Sequence, residues 1–268
     1  MKRRVFRPSF HRATRRVFLR ARLTGAAALL ALVVSAAGQF VLPFLHEAPM
    51  PAAILRQTTE PIYKLLSQLN PEELPAYDGT PSVALHNNKP SFDISDFKDL
   101  DAYELYAPLD ELGRVGVACA VVSPAALPTK PRGSIAHIRP TGWHTVRYDD
   151  LIEDHYLYNR CHLLGYQLTG ENDNAQNLMT GTRYLNTEGM LPYEQQVARY
   201  VHETGGRVAL RVTPVFVGDE LVARGVEMEA LSLDDGGAQV QFHVYCYNVQ
   251  PGIEIDYANG DSKRTHSE

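Results

Sequence analysis

Apolar and polar positions alternate with a two-residue period through the last third of the chain. "RVALRVTPVFVG", "LVARGVEMEALSL" and "AQVQFHVYCYNV" each put a bulky apolar side chain at about every second position, which predicts three strands with one face in a core. Just before them the period changes. In "GMLPYEQQVARYVHETGG", Leu191, Val197, Tyr200 and Val201 share one broad helical face and Gly205 supplies a stop, so a helix is expected there. Further upstream, "SVALHNN" reads as a strand ending in an Asn turn, "GRVGVACAVV" as a buried strand, and "GWHTVRY" as a short alternating strand. Residues 46 to 80 have helical spacing in "AAILRQTTEPIYKLLSQL" followed by the Pro-, Gly- and Asp-punctuated "NPEELPAYDGTPS", the pattern of a linker with a short helix. This order of elements predicts an α+β domain built on an antiparallel sheet, without the regular strand-helix alternation of a doubly wound fold.

The N-terminal segment has a different character. Residues 23 to 45 form an uncharged stretch of 23 residues, and about 20 apolar residues suffice to cross a bilayer. Nine of the 26 basic residues precede it and no acidic residue occurs before Glu47. The positive-inside rule then holds residues 1 to 22 in the cytoplasm and sends the rest across the membrane. The small residues of "VVSAAGQ" offer cleavage after Ala36 or Ala37, which would release the protein; without cleavage the helix would tether it. "TRRVFLR", from Thr14 to Arg20, resembles a twin-arginine export signal, and also fits a generic basic leader.

Beyond residue 45, 17 basic residues face 31 acidic ones, a net charge of −14. Such a domain has no general attraction for polyanions, so any phosphate chemistry needs a local basic cleft. This excludes a binder that works through a basic surface, though not an enzyme needing brief contact. Cys119, Cys161 and Cys246 show no metal-ligand spacing, and two of them sit in apolar runs as small core residues, with a single disulfide left open.

Candidate chemistry concentrates in "YLYNRCHLLGYQLTGENDNAQNLMTGTRYLNTEGMLPYE". His162 stands 15 residues before Asn177, Asn177 nine before Asn186, and Asn186 eight before Glu194. Phosphodiester hydrolysis needs a base to take a proton from attacking water, and a neutral imidazole suits that task. It also needs positive charge against the phosphate oxygens, from guanidinium groups or a divalent cation. Mg²⁺ keeps several waters and takes few protein ligands, so an Asn amide is a sufficient anchor.

These residues resemble the signature of the DNA/RNA non-specific endonucleases of the ββα-metal (His-Me finger) class, which include DNA-entry nucleases. The resemblance spans roughly residues 80 to 257, including "LDELGRVGVA" and "VYCYNVQPGIEIDY". It implies an α+β fold with a ββα-metal core, an antiparallel sheet and flanking helices; the apolar export or anchor helix that precedes this domain lies outside the resemblance and rests on the hydropathy of residues 23 to 45. It further implies that His162 activates water, that Asn186 is the sole protein ligand of Mg²⁺ (Mn²⁺ or another divalent cation being alternatives), and that Glu194 orients the cation's waters. Arg160 would contact phosphate and Asn177 would support the site. Arg114 and Arg183 are added as candidate substrate-binding residues. The expected substrates are DNA and RNA, cut without sequence preference to leave 5′-phosphates. In domain terms, residues 81 to 258 form the nuclease domain and 259 to 268 a polar tail. Two positions depart from the signature: its Asp is Asn159 and its Gly is Cys161. An exposed Cys161 beside the base would be open to oxidation.

Other readings use other residues. Asp149, Asp150, Glu153 and Asp154 would have to carry a carbohydrate hydrolase, but they match neither a calcium loop nor any sequence rule for a glycosidase pair, and read as a solvated turn. A zinc hydrolase lacks an HExxH motif. His144, His155, His202 and His243 read as surface or packing residues. A non-catalytic or toxin-like module that binds a protein partner is the rival from another class, and intact His162 and Asn186 weigh against it. Folding before export would make a protein inhibitor useful, because an active nuclease endangers its own genome.

Overall fold

A computed structural model describes residues 74–97 and 99–265. The basic segment, the apolar stretch and most of the expected linker therefore lie outside the described residues. Among those described, no helix is long and apolar enough to cross a membrane.

The strands are β1 (Ser82–Ala84), β2 (Tyr103–Tyr106), β3 (Ala118–Val122), β4 (Tyr158–His162), β5 (Leu178–Thr182), β6 (Val208–Val215), β7 (Gly225–Ser232), β8 (Gln241–Tyr247), β9 (Ile253–Ile255) and β10 (Ser262–Arg264). Six of them form an antiparallel sheet in the order β1-β8-β7-β6-β3-β2, while β4 pairs with β5 and β9 with β10 as separate hairpins. Among the described residues the α-helices are the short α1 (Tyr166–Thr169) and the long α2 (Leu191–Thr204), and a π-helical turn (Leu185–Met190) leads directly into α2.

Strand alternation sorts the sheet into two faces. Val208, Leu210 and Val212 of β6, Val226, Met228 and Ala230 of β7, and Phe242, Val244 and Cys246 of β8 face the main core. Val197, Tyr200 and Val201 of α2 close that core together with Cys161, Leu163, Met179 and Leu185 from the hairpin and its exit. Burying each of the larger apolar side chains contributes about 1.5 to 3 kcal/mol. This is why the helix and the hairpin are fixed to the sheet rather than hanging from it. Pro192 lies in the first turn of α2, where a missing N–H costs no helical bond, and Gly205 ends the helix at φ 69°.

The opposite face carries charge. Arg211 Nε donates to Glu229 at 2.6 Å, and the Ser91 backbone N–H donates to the same carboxylate at 2.7 Å. His243 meets two acceptors, the Lys89 carbonyl at Nδ1 (2.9 Å) and Glu227 at Nε2 (2.5 Å). Both ring nitrogens therefore act as donors, and imidazolium and guanidinium together balance the two buried carboxylates. The network pins residues 86 to 91, where His86, Asn87 and Asn88 run consecutively in the left-handed region.

Two expectations need correction. "GWHTVRY" forms no strand. Only Arg147 makes a bridge, to Tyr156, because Trp143 and Val146 drop into a satellite cluster with Tyr148, Leu157 and Tyr158, and this contact imitates alternation. The expected polar tail is part of the fold: β10 pairs with β9, the Ser262 and Tyr148 hydroxyls lie 2.9 Å apart, and Arg264 pairs with Asp150. All three cysteines are free and buried, which closes the disulfide question.

Candidate active site

The β4–β5 hairpin, the π-helical turn and α2 form one wall of an open cleft of about 860 Å³. The irregular segment from 124 to 146 forms another, with Arg132, Arg139 and Trp143 facing the space. His162, Arg160, Asn186, Glu194 and Arg183 all line it. Strand periodicity accounts for the pairing of Arg160 and His162: two residues apart on β4, they share a face, while Cys161 between them points into the core.

His162 is 7% exposed. Its Nε2 lies 2.8 Å from the Asn172 carbonyl, an acceptor, so Nε2 carries the hydrogen. Nδ1 then holds the lone pair, and it faces the Arg132 Nη2 at 3.4 Å. Burial lowers the His162 pKa below its usual value and Arg132 lowers it further, against the opposing pull of the Asn172 carbonyl. The imidazole is thus kept neutral and in a single tautomer.

Glu194 sits in the first turn of α2, and burial pushes its carboxyl up to about 7. Its one hydrogen-bond partner among the described residues is Gln167 Nε2, at 3.2 Å. A Cβ at Gly165 would come 2.8 Å from Glu194 Oε2, so the carboxyl lies directly against that backbone. Asn186 is on the π-helical turn, half-buried, with no side-chain bond to another described residue. An unpartnered amide oxygen and a desolvated carboxyl in one cleft are hard donors that suit a divalent cation with retained waters.

Asn177 is fully buried and does not reach the cleft. Its Oδ1 accepts from Leu164 N (2.9 Å) and its Nδ2 donates to Leu164 O (3.0 Å), tying the start of β5 to the chain leaving β4. Arg160 Nε donates to the Ile138 carbonyl (2.6 Å) and Nη2 to that of Ala136 (3.0 Å), which leaves Nη1 without a hydrogen-bond partner among the described residues. Arg183 pairs with Asp154 at 2.7 Å, so its charge is already shared.

Arg114 is not brought to the cleft. Its guanidinium lies over Phe216, held by Asp110 (2.7 Å) and the carbonyls of Gly218 (2.7 Å) and Glu220 (3.1 Å), and it closes a turn rather than meeting substrate. Exposure of Cys161 is also overturned: its sulfur packs so closely on Gly181 that a Cβ there would come within 2.4 Å. Asn159 stays on the cleft wall. In the acidic run, Asp149 pairs with Arg147, Asp150 with Arg264 and Asp154 with Arg183, which leaves no free carboxylate pair of the kind a glycosidase needs.

Sequence reasoning missed Arg132, Arg139, Trp143, Gln167 and Asn172. Four of the five come from non-repetitive chain and Gln167 from a single helical turn, so no periodicity announces them. The one available signal was the density of Arg, Pro and Gly in "KPRGSIAHIRPTGW". Charge pairing sets the three cleft arginines apart from most of the others, Arg199 on α2 being a further arginine with no carboxylate partner among the described residues. Arg114, Arg147, Arg183, Arg207, Arg211, Arg224 and Arg264 each pair with a carboxylate. Arg132, Arg139 and Arg160 have no carboxylate partner among the described residues, and all three line the cleft.

A hairpin bearing a histidine, followed by a helix bearing a half-buried carboxyl and packed on an antiparallel sheet, defines a nuclease core of the ββα-metal class. Residues 96–233 match the family model described as DNA/RNA non-specific endonuclease, over half of the chain. The chain belongs to that family. It is similar to NucA from Streptococcus agalactiae, whose crystal structure with no metal bound matches at 25% identity and a TM-score of 0.63, over 78% of this chain and 97% of that one. NucA with a magnesium ion bound gives 26%, 0.63, 78% and 96%. Sda1 nuclease with bound zinc ion shares the fold at 22% identity and a TM-score of 0.58, over 70% of this chain and 98% of that one.

Proposed function

We propose that this protein is an exported endonuclease that hydrolyses phosphodiester bonds in DNA and RNA with a divalent cation, and that His162 is its general base. The observation that carries this reading is the locked imidazole: Nε2–H bound to the Asn172 carbonyl, and the Nδ1 lone pair turned toward an arginine in a cleft. A water held at Nδ1 gives up its proton there as its oxygen attacks phosphorus. The bond to the 3′-oxygen breaks, that oxygen takes a proton from solvent, and a 5′-phosphate remains. Arg160 offers its free Nη1 to the phosphate, while Arg132 and Arg139 add positive charge along the backbone path.

Asn186 would hold the cation through its amide oxygen, and Glu194 would fix its water shell. When bound, the cation supplies charge stabilisation to the phosphate and to the leaving oxygen. Magnesium is the first choice because the donors are hard oxygens and the similar NucA has been seen with magnesium; manganese shares that preference. Export rests on the nine basic residues and the apolar stretch that follows them, and the division into leader, linker and nuclease domain is kept on the same ground.

The test is degradation of circular plasmid by the full-length protein, with Mg²⁺, with chelator, and with His162→Ala. Circular DNA has no ends, so its loss reports endonuclease action. His162→Ala is expected to lose a factor of about 10² to 10⁴, the worth of a positioned base. Plasmid and RNA left intact by the wild-type protein across several divalent cations and pH values would end the reading.

A further inference from the structure

Trp143 is the only tryptophan of the chain, and the Arg160 guanidinium carbon lies 4.0 Å from the centre of its ring. Arg160 has two further partners, the carbonyls of Ile138 and Ala136. All three are neutral. In the same cleft Arg183 is ordered in the opposite way, by the carboxylate of Asp154 at 2.7 Å.

We propose that Trp143 is a positioning residue for the phosphate contact: its indole face fixes the orientation of the Arg160 guanidinium without neutralising its charge. This rests on the reading above that Arg160 meets phosphate. A carboxylate would order the guanidinium equally well, but a phosphate would then have to displace it or share it. The negative face of an indole attracts the cation and leaves its edge donors free, and the attraction grows where water is excluded. The tryptophan is itself anchored, because its ring packs against the cluster of Tyr148, Leu157, Tyr158 and Ile253, and so the guanidinium inherits a rigid support. Burial and the neighbouring Arg139 lower the Arg160 pKa, as expected of a cation that no carboxylate among the described residues pairs with. An arriving phosphodiester would relieve that imbalance, so binding energy is gained at the group to be cleaved.

The experiment measures kcat and KM of full-length wild type, Trp143→Phe, Trp143→Leu, Arg160→Ala and the double variant Trp143→Leu/Arg160→Ala on one defined duplex. Leu occupies part of the indole's space but has no π face, and Phe keeps a weaker one. Trp143→Leu is expected to lose kcat/KM on the order of tenfold, Trp143→Phe to stay within about threefold, and Trp143→Leu to add nothing once Arg160→Ala is present. An impaired Arg160→Ala beside an unimpaired Trp143→Leu overturns this proposal alone, as do losses that multiply in the double variant or a Phe variant as damaged as Leu. An unimpaired Arg160→Ala overturns the phosphate reading and this proposal with it. Should Trp143→Leu fail to fold, the wild type decides the matter through its single tryptophan. Titrating DNA in chelator, with binding followed independently by anisotropy of a labelled strand, is expected to change Trp143 emission in the wild type and not in Arg160→Ala. Saturated DNA with unchanged wild-type emission overturns the proposal.

Discussion

Replacing Asn177 by Leu, a side chain of similar size, tests how the site is held in place. Asn177 touches no solvent, and its amide makes two bonds to one residue, accepting from Leu164 N at 2.9 Å and donating to Leu164 O at 3.0 Å. Leu164 is fully buried as well, so neither backbone group can turn to water when the amide is gone. Leaving a buried donor or acceptor unpaired costs about 1 to 3 kcal/mol, and two of them bring the expected loss to about 2 to 6 kcal/mol. Against a usual total of about 5 to 15 kcal/mol, that is a large fraction. Leu164 also stands two residues after His162 and one before Gly165, whose backbone abuts the Glu194 carboxyl. A shift at Leu164 therefore moves His162, the proposed base, relative to the proposed cation site, and about 1 Å of such misplacement is worth on the order of 10²-fold in rate. Urea unfolding followed by circular dichroism gives the stability, and plasmid cleavage well below the variant's melting temperature gives the rate. A variant within about 1 kcal/mol of wild type, the net worth of a single ordinary hydrogen bond, would refute the reasoning.

Two further predictions concern the sheet and the hairpin. Burial opposes the charge on His243, but Glu227, Glu229 and the Lys89 carbonyl outweigh it and hold its pKa above the usual value. The folded protein therefore keeps a proton that the unfolded chain gives up, so this stability is complete below about pH 6.5 and fades as pH rises through the folded value. Urea unfolding from about pH 5 to about pH 9 should show that decline in the wild type and lose it in His243→Gln, and a wild-type profile matching the variant's would contradict an imidazolium. In the hairpin, Gly181→Ala should lose about 1 to 3 kcal/mol by overpacking against the Cys161 sulfur, 2.4 Å from the new Cβ. Adding Cys161→Gly should recover most of that loss in a thermal melt, and simple additivity would show that the two side chains do not compete for one space.

The parts of the site that were legible in the sequence are those that a local element places. Arg160 and His162 share one strand face, and Asn186 and Glu194 lie on the continuous turn and helix that follow β5, so their spacing in the chain is their spacing in the fold. The long strands β6, β7 and β8 were legible too, because one face of each is apolar core while Arg211, Glu227, Glu229 and His243 mark the other. Arg132 and Arg139 were not: they reach the cleft through non-local bonds such as Tyr166 hydroxyl to Lys130 carbonyl (2.5 Å) and Arg160 to Ala136 carbonyl, and no sequence period encodes those. Arg114 failed for the converse reason. It sits at a strand mouth, where a catalytic arginine is plausible, yet Asp110 four residues earlier captures it. A nearby carboxylate at helical or turn spacing is the better sequence indicator that an arginine is structural.

That indicator bears on how an acidic protein handles a polyanion. Beyond residue 45 the chain carries a net charge of −14, which repels nucleic acid over most approaches. Of the arginines paired with carboxylates, all but Arg183 lie outside the cleft, and each contributes little field at a distance because its partner cancels it. Arg132, Arg139 and Arg160 are uncancelled by any carboxylate among the described residues and converge on one concave space beside His162, so attractive potential is concentrated at the place where a phosphodiester would be cut. If these three arginines make the phosphate contacts, affinity should fall less steeply with salt than for proteins that cover many phosphates. Weak binding outside the cleft also favours release of the cut strands, since neither product is held by the rest of the surface. The sequence first argued against a nucleic-acid binder through its charge, and the same charge, distributed in this way, suits an enzyme that must let go.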